Sequence, residues 1–366
     1  MQTRIATSQL ACKALRTAVS AFLLSAPIVA AQTPMPGQGR ALPPPAAQRD
    51  ESRGTVALPV FEFHSGFWLN LHHLLYQQAR IREERLTRKP VQGVSELLPL
   101  SGFSDAEQQA WQASLGFYAD TMAARDLLFD GDLVLIKNRL AEVENCPDLS
   151  GRADSRCKSG LRPELIAALE RAAPVYRAKW WPEQDKRNRD WIAAITPRVQ
   201  KEGVPLGTQL SNLFHTDWPT GRIRVEVSNY AGVLGSYTTI DPLTVTVSSQ
   251  DERNAGAGAV EVLFYEASHL LGMGARDLIA RECRARGKPI PRELWDAMLY
   301  YTAVTVSRGA YPRSGVDPGA AVTERGWRGY RIALDGFWKP FLQGALRNQA
   351  NPEDLERAIS RLVAAL

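Results

Sequence analysis

Two stretches constrain this chain more than any others: GRIRVEVS from residue 221 and LTVTVSS from residue 243, with GSYTT between them. Each is short, β-branched and alternating, and Gly, Asn, Asp and Pro separate them. Alternate side chains of a strand point to opposite faces, so residues 222–248 are expected to form a small sheet of about three strands. Directly after them the spacing turns helical. In VLFYEASHLLG, residues 262–272, Leu263, Phe264 and Leu270 cover a face suited to packing on that sheet.

Elsewhere the pattern is mainly helical. FWLNLHHLLYQQARIREER is amphipathic and is entered through Ser65 as an N-cap. Ser104-Asp105-Ala106-Glu107 forms a capping box at the head of a second stretch, which is interrupted near Asp130-Gly131-Asp132. Further helices are expected over residues 162–173, 182–201 and 291–307. The expected fold class is therefore α+β and predominantly helical. It is one domain over residues 56–366, with a helical N-terminal half (56–215), a sheet-and-motif region (216–310) and a helical C-terminal part (311–366).

The first 31 residues have the pattern of an export signal. Arg4, Lys13 and Arg16 give a basic start without acids, an apolar run extends from Thr17 to Ala30, and Val29-Ala30-Ala31 sets cleavage after Ala31. The run is shorter than the roughly twenty residues a spanning helix needs, so no membrane span is expected once it is removed. Residues 32–55 are rich in Pro and polar residues and read as a disordered linker. The full chain carries 44 Lys and Arg against 39 Asp and Glu. The three bases of the signal account for more than half of that excess, and no basic cluster interleaved with aromatics points to nucleic acid. Localisation is expected to be periplasmic or secreted. In an oxidising compartment cysteines tend to pair, and Cys146 and Cys157 flank the polar loop CPDLSGRADSRC as an expected disulfide, which leaves Cys283 as a half-buried free thiol.

The chemistry-bearing motif is Tyr265-Glu266-Ala267-Ser268-His269. Helical spacing aligns Glu261, Tyr265 and His269 on one stripe and places Glu266 beside it. This is the second half of H-E-x-x-H with tyrosine in the first histidine's place. Strand, short loop and motif helix follow in that order. Over about residues 222–306 the segment resembles the active-site region of zincin metallopeptidases. It also resembles a group of exported bacterial proteins whose matching helix carries an intact H-E-A-S-H. The resemblance implies a zincin-like fold with an edge strand beside the cleft, His269 as the retained zinc ligand and Glu266 as the catalytic base. In gluzincin-like relatives a third ligand sits on a later helix, and here Arg292-Glu293-Leu294-Trp295-Asp296 opens one. Asp296 is the first choice for that ligand and Glu293 the second, and both also fit as first-turn acids complementing the helix dipole. Tyr265 is the departure, because a neutral phenol is a poor ligand until a metal deprotonates it.

Four other histidines, His64, His72, His73 and His215, fit structural roles at a core edge, and His64 and His215 are the best placed to reach the motif helix. Trp180, Trp181 and Trp191 fit helix packing better than ligand stacking. There is no Gly-rich phosphate loop and no G-x-S-x-G elbow. Three functional readings follow. The first is a non-catalytic or weakly active zincin-like protein that binds a peptide or protein. The second is an active zinc-dependent peptidase with a rearranged ligand set of His269, Asp296 or Glu293, and Tyr265. The third is an unrelated exported helical protein carrying the motif by chance.

Overall fold

The strands form a four-stranded mixed sheet in the order β1 (Phe61–His64), β2 (Ile223–Ser228), β4 (Leu243–Ser248), β3 (Ser236–Ile240). β1 and β2 run parallel, β2 and β4 parallel, and β3 antiparallel to β4 at the edge. The computed structural model describes residues 60–87, 97–310, 317–348 and 350–366. The expected signal segment and linker, and the first residues of the expected domain, lie outside them. The three expected strands are present. The fourth, FEFH, comes from the far N-terminal side and is too short to register as a strand in sequence.

Alternation gives the sheet two unlike faces. Ile223, Val225, Val227, Val245 and Val247 belong to the larger hydrophobic core. The register Val225↔Val245 and Val227↔Val247 puts them side by side. On this face lie α5 (Trp181–Phe214) and the motif helix α6 (Ala257–Leu271), and Phe264 of α6 meets Phe61 edge-on at 5.3 Å. The opposite face carries Arg224, Glu226, Ser228, Thr244, Thr246, Tyr237 and Thr239. An alternating strand normally gives such a face to water, but here Glu226, Ser228 and Thr246 are fully buried. Helix α1 (Phe67–Thr87) and helix α3 (Gly131–Glu142) cover it. α1, α2 (Asp105–Thr121) and α4 (Pro163–Lys179) then enclose a second core around Trp68, Trp111 and Tyr176.

Helix boundaries show where packing overrides local signals. The capping box of Ser104 and Glu107 is formed at the head of α2. Ser65 does not cap α1, because its hydroxyl bonds Asp185 of α5 at 2.8 Å. α4 and α5 outrun their expected ends, and α5 continues past Pro197 and Pro205. A long buried stripe from Ile195 to Phe214 outweighs the lost backbone bonds. Trp180 packs at a tilt against Trp111 at 4.5 Å and Trp181 meets Phe67 edge-on at 5.4 Å, so both serve packing. Cys146 and Cys157 form a disulfide, with Cα atoms 5.5 Å apart. Cys283, expected half-buried, is fully buried in α7 (Met273–Ala285). Among the described residues no helix is long and apolar enough to cross a membrane.

Candidate functional site

The motif occupies the last turns of α6, between the edge strand β3 and helix α8 (Leu294–Ala310). Tyr265 and His269 face α8. The Tyr265 ring stands edge-on to the His269 imidazole at 4.8 Å and to Tyr300 at 5.2 Å, and Trp295 closes the other flank of His269 at 5.1 Å. Gly272 makes this closeness available. A Cβ there would lie 2.6 Å from Leu299 Cδ2 and 3.2 Å from Trp295 Nε1. Trp295 Nε1 also donates to the Gly272 carbonyl at 3.0 Å, which ties the start of α8 to the end of α6.

Glu266 faces the sheet. Thr238 Oγ1 donates to its Oε2 at 2.6 Å and lies 3.1 Å from its backbone carbonyl. His269 therefore sits between two carboxyl groups. Its Nδ1 is 3.1 Å from the Glu266 carbonyl and 3.5 Å from Glu266 Oε2, while its Nε2 is 3.4 Å from Asp296 Oδ1. Burial pulls the imidazole pKa down, but Asp296 and Glu266 outweigh it, so the net shift is upward. Tyr265 behaves oppositely to a ligand phenol. Burial, reinforced by the charges of Glu266 and Asp296, holds its pKa well above the ordinary value. Glu261, the third member of the stripe, is buried, and burial raises its pKa.

Of the residues singled out in sequence, Tyr265, Glu266, His269 and Asp296 come together, whereas Glu293 stays exposed one residue before α8. The other histidines have different settings. His64 faces Glu144 at 3.0 Å, His72 and His73 are buried on the polar side of the sheet, and His215 ends α5 in the left-handed conformation. Sequence reading missed Thr238 and Trp295. The alternation of GSYTT puts Thr238 on the apolar, α6-facing side, but only the strand pairing says which helix residue it meets.

A catalytic zinc site needs three protein ligands. His269 Nε2 and Asp296 Oδ1 have a separation suited to two of them, since tetrahedral ligands about 2.05 Å from zinc are about 3.3 Å apart. The set stops there. Among the described residues no group of three or more His, Cys, Asp or Glu is placed to hold a metal ion, and Tyr265 stands at the motif position of the missing first histidine, its ring against His269. Among the described residues, the set falls short of three such ligands.

A cavity of about 540 Å³ lies beyond the other end of α6, lined by Asn229, Tyr230, Leu234, Asp251, Arg253 and Arg325 among others, and by none of the motif residues. One link to the motif runs through Tyr300: Arg325 lies over its ring at 5.0 Å, and Tyr300 meets Tyr265. Neither a family model, nor a curated protein, nor a solved structure matches the chain.

Proposed function

We propose that this is an exported, zincin-like binding protein in which side chains close the place of an ancestral metal, and that its ligand is a peptide or protein. The carrying observation is the position of Tyr265. Its ring lies against His269 where H-E-x-x-H needs a nitrogen, and its buried phenol resists ionisation. The His269 imidazole, bracketed by Glu266 and Asp296 and with its pKa raised by them, occupies the space a metal would otherwise take between those acids. Leaving the buried Glu266 and the partly exposed Asp296 without a compensating partner would be costly, and this bracketing offsets that cost.

Three features support the zincin-like part. An antiparallel edge strand, β3, lies beside the motif helix. β4 leads into α6 through a short turn, and a later helix brings an acid to His269. An edge strand can pair with an extended chain, which is the basis for a peptide or protein ligand.

A second reading, a zinc peptidase with a rearranged ligand set, draws on the 3.4 Å separation of His269 and Asp296. Bound zinc per mole of the protein beginning at Gln32, after chelator stripping and zinc reconstitution, separates the two. The proposal expects substoichiometric zinc in the folded protein, and Tyr265→His should raise it toward one per chain. Near-stoichiometric zinc that His269→Ala abolishes would establish the second reading. A folded Tyr265→His protein that still takes no zinc would remove the ancestral-site argument altogether.

A further inference from the structure

The buried polar face of the sheet contains a lysine that, among the described residues, forms no ion pair. Lys137 of α3 is 1% exposed, and its Nζ donates to Thr239 Oγ1 of the edge strand. Among the described residues no carboxylate lies within ion-pair distance of it. The nearby charges and titratable groups come from three elements. β2 presents Glu226 and Arg224, β3 presents the Tyr237 ring at 5.9 Å, and α1 presents His73, with His72 beside it. Glu226 does not serve as the partner. Its Oε1 is taken by Arg224 Nε, and its Oε2 is buried without a hydrogen bond. Both histidines are neutral under burial, with His72 down to about 3 and His73 well below its ordinary value. His73 is tied to Ser228 and Tyr237 at 3.0 Å each. His64 and Glu144 face Arg224 and Glu226 rather than Lys137.

We propose that Lys137 is an acid-sensitive latch between helix α3 and the edge strand β3, so that protonation inside the polar layer drives the two elements apart. A buried ammonium without a counter-ion is disfavoured against a hydrated one. Protons therefore favour any state in which Lys137 reaches water. The element with least to lose is β3, which is paired along one side only. Adjacent positions of β3 hold opposite faces: Thr239 meets Lys137, and Thr238 meets Glu266. Opening the latch thus also frees Glu266 from its hydroxyl partner. The proposal does not depend on whether His269 holds a metal.

Burial brings the Lys137 pKa from 10.5 down to about 7, with Glu226 raising it and Arg224 lowering it. An open state with the ordinary pKa gains population as pH falls from 9 to 6, by about a hundred-fold for these values. Amide hydrogen exchange of residues 236–240 in the intact protein, corrected for intrinsic rates and referenced to β4, measures this. The expected result is a loss of protection of that order between pH 9 and pH 6, flattened to within about threefold in Lys137→Met. Equal protection at both pH values in the unaltered protein would overturn the latch. So would a pH dependence that persists in Lys137→Met, since the buried histidines or Glu226 would then be its source. If Lys137→Met does not fold, the Lys137 Cε resonance of the unaltered protein decides. A midpoint near 7 supports the latch, and one near 10.5 ends it.

Discussion

Thr238, on the edge strand, donates a 2.6 Å hydrogen bond to the buried carboxyl of Glu266 on the motif helix. That bond joins the sheet to the motif, and it sets the carboxyl beside His269 rather than toward solvent.

Thr238→Val keeps the shape and deletes the donor. A buried acceptor left unpaired costs about 1–3 kcal/mol, so urea denaturation should show a loss in that range. Thr238→Ser, which keeps the hydroxyl, should stay within about 1 kcal/mol of the parent. Equal losses in both variants would mean that packing, not the hydrogen bond, holds this contact.

Gly272→Ala tests the seat of α8 on α6. The added methyl would lie 2.6 Å from Leu299, closer than real side chains come, and 3.2 Å from Trp295, a tight contact, and overpacking typically costs about 1–3 kcal/mol. Because Trp295 flanks His269 and adjoins Asp296, its fluorescence should shift in the folded variant. An unchanged spectrum with unchanged stability would show that α8 can yield without cost.

His72 gives a stability dependence at acid pH. Burial lowers its pKa from 6.5 to about 3. Between those values the unfolded chain binds the proton and the folded chain does not. The contribution is complete above about pH 6.5, declines as pH falls, and levels off below about pH 3. Its full span is on the order of several kcal/mol. His72→Gln, which can still bond the Tyr118 hydroxyl that His72 meets at 2.8 Å, should flatten that slope in denaturation curves recorded from pH 4 to 7. This window overlaps the one assigned to Lys137 only between pH 6 and 7, so below pH 6 the His72 effect is read by itself.

The disulfide between Cys146 and Cys157 closes a short loop with a sequence separation of 11. Chain-entropy arguments give about 2–3 kcal/mol for a loop of this size. A Cys146→Ser, Cys157→Ser double variant should lose that much stability, with a matching fall in melting temperature. The α3–α4 connection it spans lies on the far side of the sheet from His269, so zinc uptake should not change.

Several features could be read directly from the chain. Alternation in RIRVEVS and LTVTVSS, the capping box at Ser104 and Glu107, and the helical stripe of Glu261, Tyr265 and His269 are all short-range patterns. Each arises from side chains a few residues apart, so the local sequence contains the physics that produces them. Asp296 as a third zinc ligand on a later helix is an expectation from the resemblance rather than from spacing, and the structure brings that residue to 3.4 Å from His269.

Other features needed the tertiary structure. Nothing local distinguishes Glu226 and Thr246, buried on the polar face, from residues facing water, because alternation fixes a side chain's face and not what covers that face. Lys137 reads as an ordinary surface lysine of an amphipathic helix until α3 is laid over β3. β1 exists as a strand only because β2, some 160 residues later, supplies its hydrogen bonds. Thr238 acquired its partner in the same way. Sequence determined three of the four strands, the helical character of most of the rest and the order of the motif. Long-range packing decided what each buried polar group meets, because those contacts join residues that only the folded chain brings together.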